Sequence, residues 1–278
     1  IENDNDKQAR QQLKRLVSPF ILRRLKSDVL SELPPKTEIN IKVPLSEAEA
    51  SLYEALRRKA LERLADSSDP AGQQRMQVLA EIMRLRRVCC HPNLVAPEMN
   101  LPSSKLAAFG EILEELLENQ HRALVFSQFV DHLAEIKRYL DQLGVSYQYL
   151  DGSTSIKQRQ LAVQSFQAGE GEVFLISLKA GGSGLNLTAA DYVIHMDPWW
   201  NPAVEEQASD RAHRMGQQRP VTIYRLVTSN TIEEKILALH QRKRDLADSL
   251  LEGSDGGNKV SLEDIKALLS GGDDAYVQ

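Results

Sequence analysis

The sequence predicts an α/β fold, a parallel sheet with helices on both faces, and three observations predict it. Short apolar runs recur at Ala123–Ser127, Tyr147–Leu150, Val173–Leu178, Tyr192–Met196 and Val221–Val227. Amphipathic stretches at about 130–143 and 155–167 separate the first three runs, and Asn201-Pro202 opens a helix between the last two, because an N-cap residue followed by proline is a helix start. Val173–Leu178 and Tyr192–Met196 are apolar throughout rather than alternating, which suits strands buried on both faces. Strand then helix, repeated, implies a parallel sheet.

The remaining elements follow in chain order. Leu13, Leu16, Val17, Phe20 and Ile21 suit a helix interrupted near Pro19, and Leu33-Pro34-Pro35-Lys36 stops whatever precedes it. Ile39, Ile41 and Val43 alternate, so Thr37–Val43 reads as a half-buried strand. Ser46 with Glu49 forms a capping box ahead of Leu52, Tyr53, Leu56, Ala60 and Leu64, an amphipathic helix. A polar loop spans Asp66–Gly72, and a second helix from about Gln73 to Val88 carries Met76, Leu79, Ala80 and Met83 before His91-Pro92 stops it. Ser103-Ser104 leads into a helix striped with Leu106, Phe109, Leu113 and Leu116. The glycine-rich stretch of about 179–190 is expected to be partly helical. Thr231–Leu250 places Ile232, Ile236, Leu239, Leu246 and Leu250 at helical spacing; a linker at Gly253–Asn258, a short helix at Val260–Leu269 and a frayed tail follow.

At 278 residues and 42% hydrophobic, the chain can bury one large core and a smaller satellite. No apolar run is long enough to cross a bilayer, and an opening on Ile1 without a leader suits a piece of a longer protein. The only cysteines, Cys89 and Cys90, are neighbours and make a poor structural disulfide; with His91 they offer too few spaced ligands for a closed zinc site, so no metal site is expected. A reducing intracellular setting is expected, cytoplasm with nucleoid or nucleus. The net charge of −5 argues mildly against a nucleic-acid binder that uses its whole surface, yet local basic clusters occur at Arg23-Arg24-Lys26, Arg84–Arg87 and Arg211–Arg219. A narrow basic track is enough to follow phosphates.

On a helix from Asn201, residues Gln207, Arg211 and Arg214 are spaced by four and three and share a face, with Asp210 on the flank and Gly216 as a stop. Two guanidiniums and an amide aimed one way suit a polyanion, because a guanidinium fork matches phosphate oxygens in charge and geometry. A solvated basic face fits the same spacing, and spacing alone leaves both open. The runs upstream place the arginines beside the carboxyl ends of strands, where ligand crevices form in open parallel sheets. Ser127, Gly152, Ser153 and Thr154 also sit where loops leave strands, so their hydroxyls and amides can hold phosphates; helix capping is the other reading, and it suits Thr154 or Ser155.

These residues, read together, resemble the last helicase motifs of the SWI/SNF-type DNA-translocating ATPases of superfamily two. The resemblance rests on Lys179-Ala180-Gly181-Gly182, Gly184-Leu185-Asn186-Leu187, Trp200-Asn201-Pro202, Gln207, Asp210-Arg211-Ala212-His213-Arg214 and Gly216-Gln217. Phe126-Ser127-Gln128-Phe129, Leu150-Asp151-Gly152-Ser153-Thr154 with Arg159, and Leu85-Arg86-Arg87 with Cys89 and His91-Pro92 match further motifs. The resemblance implies a RecA-like second motor lobe at 98–228, after an inter-lobe connector at 1–44 and a helical insertion at 45–97 like the family's second protrusion, with a bracing helix and tail at 229–278. It implies that Arg214, with Arg211, reaches the γ-phosphate, that Gln207 holds this finger, that Asp210 and Gly182 lie at the nucleotide, and that Ser127, Gly152, Ser153, Lys179, Gly181 and Trp200 track DNA. Many relatives carry an acidic residue in place of Trp199 and a leucine in place of Ser183.

The sequence contains no Gly-Lys and no Asp-Glu dipeptide, so it lacks the loop that cradles phosphates and the pair that binds metal and activates water. ATP and Mg²⁺ are therefore expected to be held mainly by a first motor lobe, and this portion alone is expected to be inactive. The implied partners are that lobe, double-stranded DNA and a DNA-bound protein as substrate, with no membrane. The readings are the C-terminal half of an ATP-dependent duplex translocase, a DNA-binding or partner-docking module with a vestigial motor, and a strand-separating helicase. The Gln207, Arg211 and Arg214 set favours a working motor over the vestigial one.

Overall fold

The computed structural model describes residues 33–65, 71–180, 185–239 and 269, the side chains of 71, 72 and 75 aside. The expectations for residues 1–32, for 66–70, for Gly181, Gly182, Ser183 and Gly184, and for the stretches 240–268 and 270–278 lie outside the described residues. Strand β1 spans Lys36–Val43 and is followed by α1 (Glu47–Ala65), α2 (Ala71–Cys90), α3 (Ser104–Glu118), β2 (Ala123–Ser127) and α4 (Val130–Leu143). Then come β3 (Tyr147–Leu150), α5 (Ile156–Gln167), β4 (Val173–Ser177), β5 (Tyr192–His195), α6 (Pro202–Ser209) and β6 (Val221–Thr228). Residues 232–239 form a last helix, α7.

The strands make a six-stranded sheet in the order β1-β6-β5-β2-β4-β3, every pair parallel. Alternate residues of β2 go to opposite cores, which is why the strand reads as a continuous apolar run. Leu124 and Phe126 join a cluster with Phe166, Phe174 and Ala208, under α5 and α6. Ala123 and Val125 join Phe109, Leu113, Leu133 and Ile136, under α3 and α4. A third cluster packs Tyr53 and Leu56 of α1 against Val78, Ile82 and Leu85 of α2 and Ile232 and Ile236 of α7. The bracing stripe of α7 is thus packing surface, and each fully buried Ile or Leu contributes about 1.5–3 kcal/mol. Beneath it Lys105 Nζ donates to both carboxylate oxygens of Glu233 at 2.6 Å, fully enclosed.

Local signals act as the sequence predicts. Ser46 and Glu49 close a capping box before α1: the Glu49 amide donates to Ser46 Oγ at 3.3 Å and the Ser46 amide to Glu49 Oε2 at 3.0 Å. Ser155 and Gln158 do the same for α5, leaving Thr154 to accept from the Asp151 amide. Two expectations change. Strand β1, assigned by sequence to the connector, pairs with β6 from Lys36 opposite Val221 to Val43 opposite Thr228 and completes the sheet. The described part of 179–190 is turn and irregular chain, not helix. Its backbone is used elsewhere, with the Leu187 amide donating to Arg211 O at 3.1 Å while Leu185, Leu187 and Ala190 are buried in the first core.

Candidate functional site

The loops after β2, β3, β4 and β5 leave the carboxyl ends of parallel strands, the edge where such sheets gather ligands, while the arginine segment follows α6 and leads into β6. The arginine segment begins as expected: Asn201 Oδ1 caps α6 by accepting the Ala203 amide at 3.2 Å, and Pro202 follows at its first position. The helix ends at Ser209, however, and not at Gly216. Beyond it Arg211 and Ala212 bond back three residues, to Ala208 and Ser209, and Gly216 closes the turn at φ +96°. Gln207 is exposed on α6 whereas Arg211 is 6% exposed, so the expected shared face does not form. The cause is burial of Ala208, Ser209 and Ala212, with Ser209 Oγ 3.0 Å from His195 Nε2, which draws the chain and Arg211 inward.

The Arg211 guanidinium lies 5.4 Å from the centre of the Phe126 ring, and its Nη1 is enclosed with no hydrogen-bond partner. Burial, then the neighbouring Arg159 cation, pulls its pKa down to about 10, so it stays charged at neutral pH. Arg159 Nη1 donates to Ala180 O at 2.5 Å, directly before the segment with Gly181 and Gly182. Arg214 is half-buried and its Nη1 donates to Leu185 O at 3.2 Å. Among the described residues neither Arg211 nor Arg214 forms a salt bridge. Asp210 is the half-buried C-cap of α6. Gln217 clamps the turn: Nε2 donates to the carbonyls of Thr188, Ala190 and Ala212 at 3.2, 2.8 and 3.1 Å, and Oε1 accepts the amides of Gln218 and Arg219.

The other loops differ among themselves. Gly152 and Ser153 are exposed, and Asp151 Oδ1 orders them by accepting the Ser153 amide at 2.8 Å and its hydroxyl at 2.6 Å. Hydrogen bonding from Ser153 holds the Asp151 carboxyl below its usual range, against the effect of burial. Lys179 is exposed. Ser127 is not: it is fully buried, its hydroxyl donating to Asp197 Oδ2 at 2.5 Å and accepting the Phe129 amide at 3.1 Å, which leaves no surface for a phosphate. The expected DNA contact at Ser127 is therefore replaced by an internal brace between two strand ends.

Trp199 and Trp200 are both half-buried. Arg86 of α2 lies between them, its guanidinium 5.9 and 5.3 Å from their ring centres and 5.7 Å from that of Phe129, while its Nη2 donates to Pro198 O at 2.5 Å. At the start of α6, Glu205 Oε1 accepts the Trp199 amide at 2.7 Å, and Oε2 meets Arg225 of β6 at 2.7 Å. Sequence reasoning had no hold on Arg86, Arg225 or Gln217 as supports of these loops, since their partners lie far along the chain or are backbone carbonyls.

Comparison with known proteins bears on the family and the fold. The model of the helicase conserved C-terminal domain matches residues 104–216, and that of the SNF2-related domain matches residues 1–94. A putative ATP-dependent helicase/translocase, YwqA of Bacillus subtilis, is 38% identical over 97% of this chain, which spans 30% of that protein's length. Among solved structures, the Sulfolobus solfataricus SWI2/SNF2 ATPase core in complex with double-stranded DNA superposes with a TM-score of 0.66 at 32% identity, covering 87% of this chain and 52% of that one. The Sulfolobus solfataricus SWI2/SNF2 ATPase C-terminal domain does so at 0.66 and 28% identity, covering 85% of this chain and 99% of that one. With its parallel sheet and its loops at one edge, the chain belongs to the SWI/SNF-type helicase-like proteins of superfamily two, as a C-terminal motor portion.

Proposed function

We propose that the chain is the C-terminal half of an ATP-dependent double-stranded DNA translocase, and that it lends positive charge to a nucleotide held by a first motor lobe. The observation that carries this reading is Arg211, a guanidinium kept in the interior with Nη1 unpaired and Arg159 beside it. Burying an unpaired charge costs several kcal/mol, so an anion that approaches gains an interaction the fold itself does not supply. Arg211 is the fixed charge in this reading and half-buried Arg214 the finger, its Nη1 on the Leu185 carbonyl and its other guanidinium nitrogens left to donate to a phosphate. Gln217 keeps the turn in shape, and Asp210 lies at its start.

These residues fit the phosphate side of a nucleotide only; bound ATP would supply the phosphoryl group and Mg²⁺ would neutralise its charge, both held by a first lobe that carries the motifs this sequence lacks. Lys179, Gly152, Ser153 and the accessible part of Trp200 form the DNA-facing set in this reading. Duplex DNA and proteins bound to it are the substrates this reading implies. In the intact protein, Arg214→Ala is expected to leave ATP binding nearly unchanged and to lower DNA-stimulated hydrolysis by about a thousandfold or more, as loss of an arginine finger does. Turnover retained in the variant would remove Arg214 from this role. An intact wild-type protein that binds DNA in a salt-dependent way but never hydrolyses ATP would instead support the docking module.

A further inference from the structure

The fold brings together three side chains that the sequence keeps far apart. Cys90 ends α2, His132 lies in the first turn of α4, and Asp197 follows β5; all are buried, and one ligand atom from each lies within 4.8 Å of the others. Asp197 is held in place by Ser127 Oγ at 2.5 Å and by Gln128 Nε2, which donates to Oδ1 at 2.7 Å. His132 Nδ1 lies 3.4 Å from Ser127 Oγ, and its Nε2 is enclosed without any partner. A buried imidazole nitrogen with nothing to bond calls for an explanation, and an ion is one of the few that exist.

We propose that Cys90, His132 and Asp197 bind a structural zinc ion. A thiolate, an imidazole and a carboxylate form a mixed S, N, O set that suits this borderline-soft, tetrahedral cation. Two anionic ligands and one neutral one also cancel its charge, which a buried site requires. Zinc bonds of about 2.0–2.3 Å ask the three groups to close slightly from their present spacing. Ser127 Oγ, already against Asp197 and His132, offers an oxygen for the fourth position. The site is enclosed on all sides, so its role is to tie α2, α4 and the loop towards Trp199 together, not to activate water. The inference does not depend on the motor reading above.

The test measures zinc in the intact protein, made without a metal-affinity tag and dialysed against metal-free buffer, and then exchanges it for cobalt(II). One zinc ion per chain is expected, with a thiolate-to-cobalt charge-transfer band after exchange. Cys90→Ser and His132→Gln should each remove one equivalent, and Cys90→Ser also the band. Cys89→Ser, a neighbouring buried cysteine outside the cluster, should keep both. Where Cys90→Ser fails to fold, Asp197→Asn and His132→Gln decide by their metal content. A wild-type protein that retains no zinc, or folded variants that keep the wild-type stoichiometry, would overturn the proposal.

Discussion

Arg211 sets a requirement of the site against a requirement of the fold. Its Nη1 is enclosed and unpaired, and its charge is opposed by burial and by Arg159. Replacing a poorly compensated buried charge by an apolar group of similar length is often neutral or stabilising by about 1–4 kcal/mol. Arg211→Met should therefore leave the melting temperature unchanged or raise it while abolishing DNA-stimulated ATP hydrolysis in the intact protein. A large drop in melting temperature on calorimetry would mean that the guanidinium serves packing instead. The sequence made this residue visible through its place in a motif, but not its burial. A helix drawn to Gly216 puts Arg211 on a shared face with Gln207; only the burial of Ala208 and Ala212 against the sheet shows that the backbone turns first.

At the scale of elements, helices α3 and α4 meet where Gly110 faces Tyr139. A Cβ built on Gly110 would stand 2.0 Å from the Tyr139 hydroxyl oxygen and 2.9 Å from the ring carbon that carries it. Alanine gains about 1 kcal/mol over glycine inside a helix. Overpacking of this kind costs about 1–3 kcal/mol, and it should win. Gly110→Ala is expected to destabilise the protein in urea, and Tyr139→Phe to recover part of the loss by removing the nearest atom; a fully additive double mutant would refute the clash. Element positions were largely legible in the sequence, because buried parallel strands and capped amphipathic helices leave strong periodic signals. Helix α4 runs over the expected 130–143, and β2 over the expected Ala123–Ser127. The stretch 179–190 was not legible: its leucines pack from irregular chain whose amides and carbonyls bond to the arginine turn, which periodicity cannot reveal.

Across the whole molecule, Arg225 is the tie between the edge of the sheet and the tryptophan loop. It meets Glu38 of β1 at 2.9 Å and Glu205 of α6 at 2.7 Å. Burial works to raise the Glu38 pKa, but hydrogen bonds and charge from Lys36 and Arg225 outweigh it and hold the group at about 2, below its usual 4.5. A carboxyl depressed in the folded state binds its proton more readily when unfolded. Its contribution is therefore complete above about 4.5 and is lost as pH falls through about 2. Unfolding midpoints measured down this range should fall less steeply for Glu38→Gln than for the wild type; parallel slopes would show that the pair carries no linkage. That β1 belongs to the sheet at all was hidden by its place before the helical pair, since strand order is a property of the assembled fold.

The position of Arg86 has a mechanical consequence. One cation shared by two indoles and a proline carbonyl couples the helical hairpin directly to the loop that carries both tryptophans. Leverage on the hairpin, from whatever grips it, reaches the indoles through this cation and through the packing of Trp200 on the hairpin's own apolar cluster, without first deforming the strands.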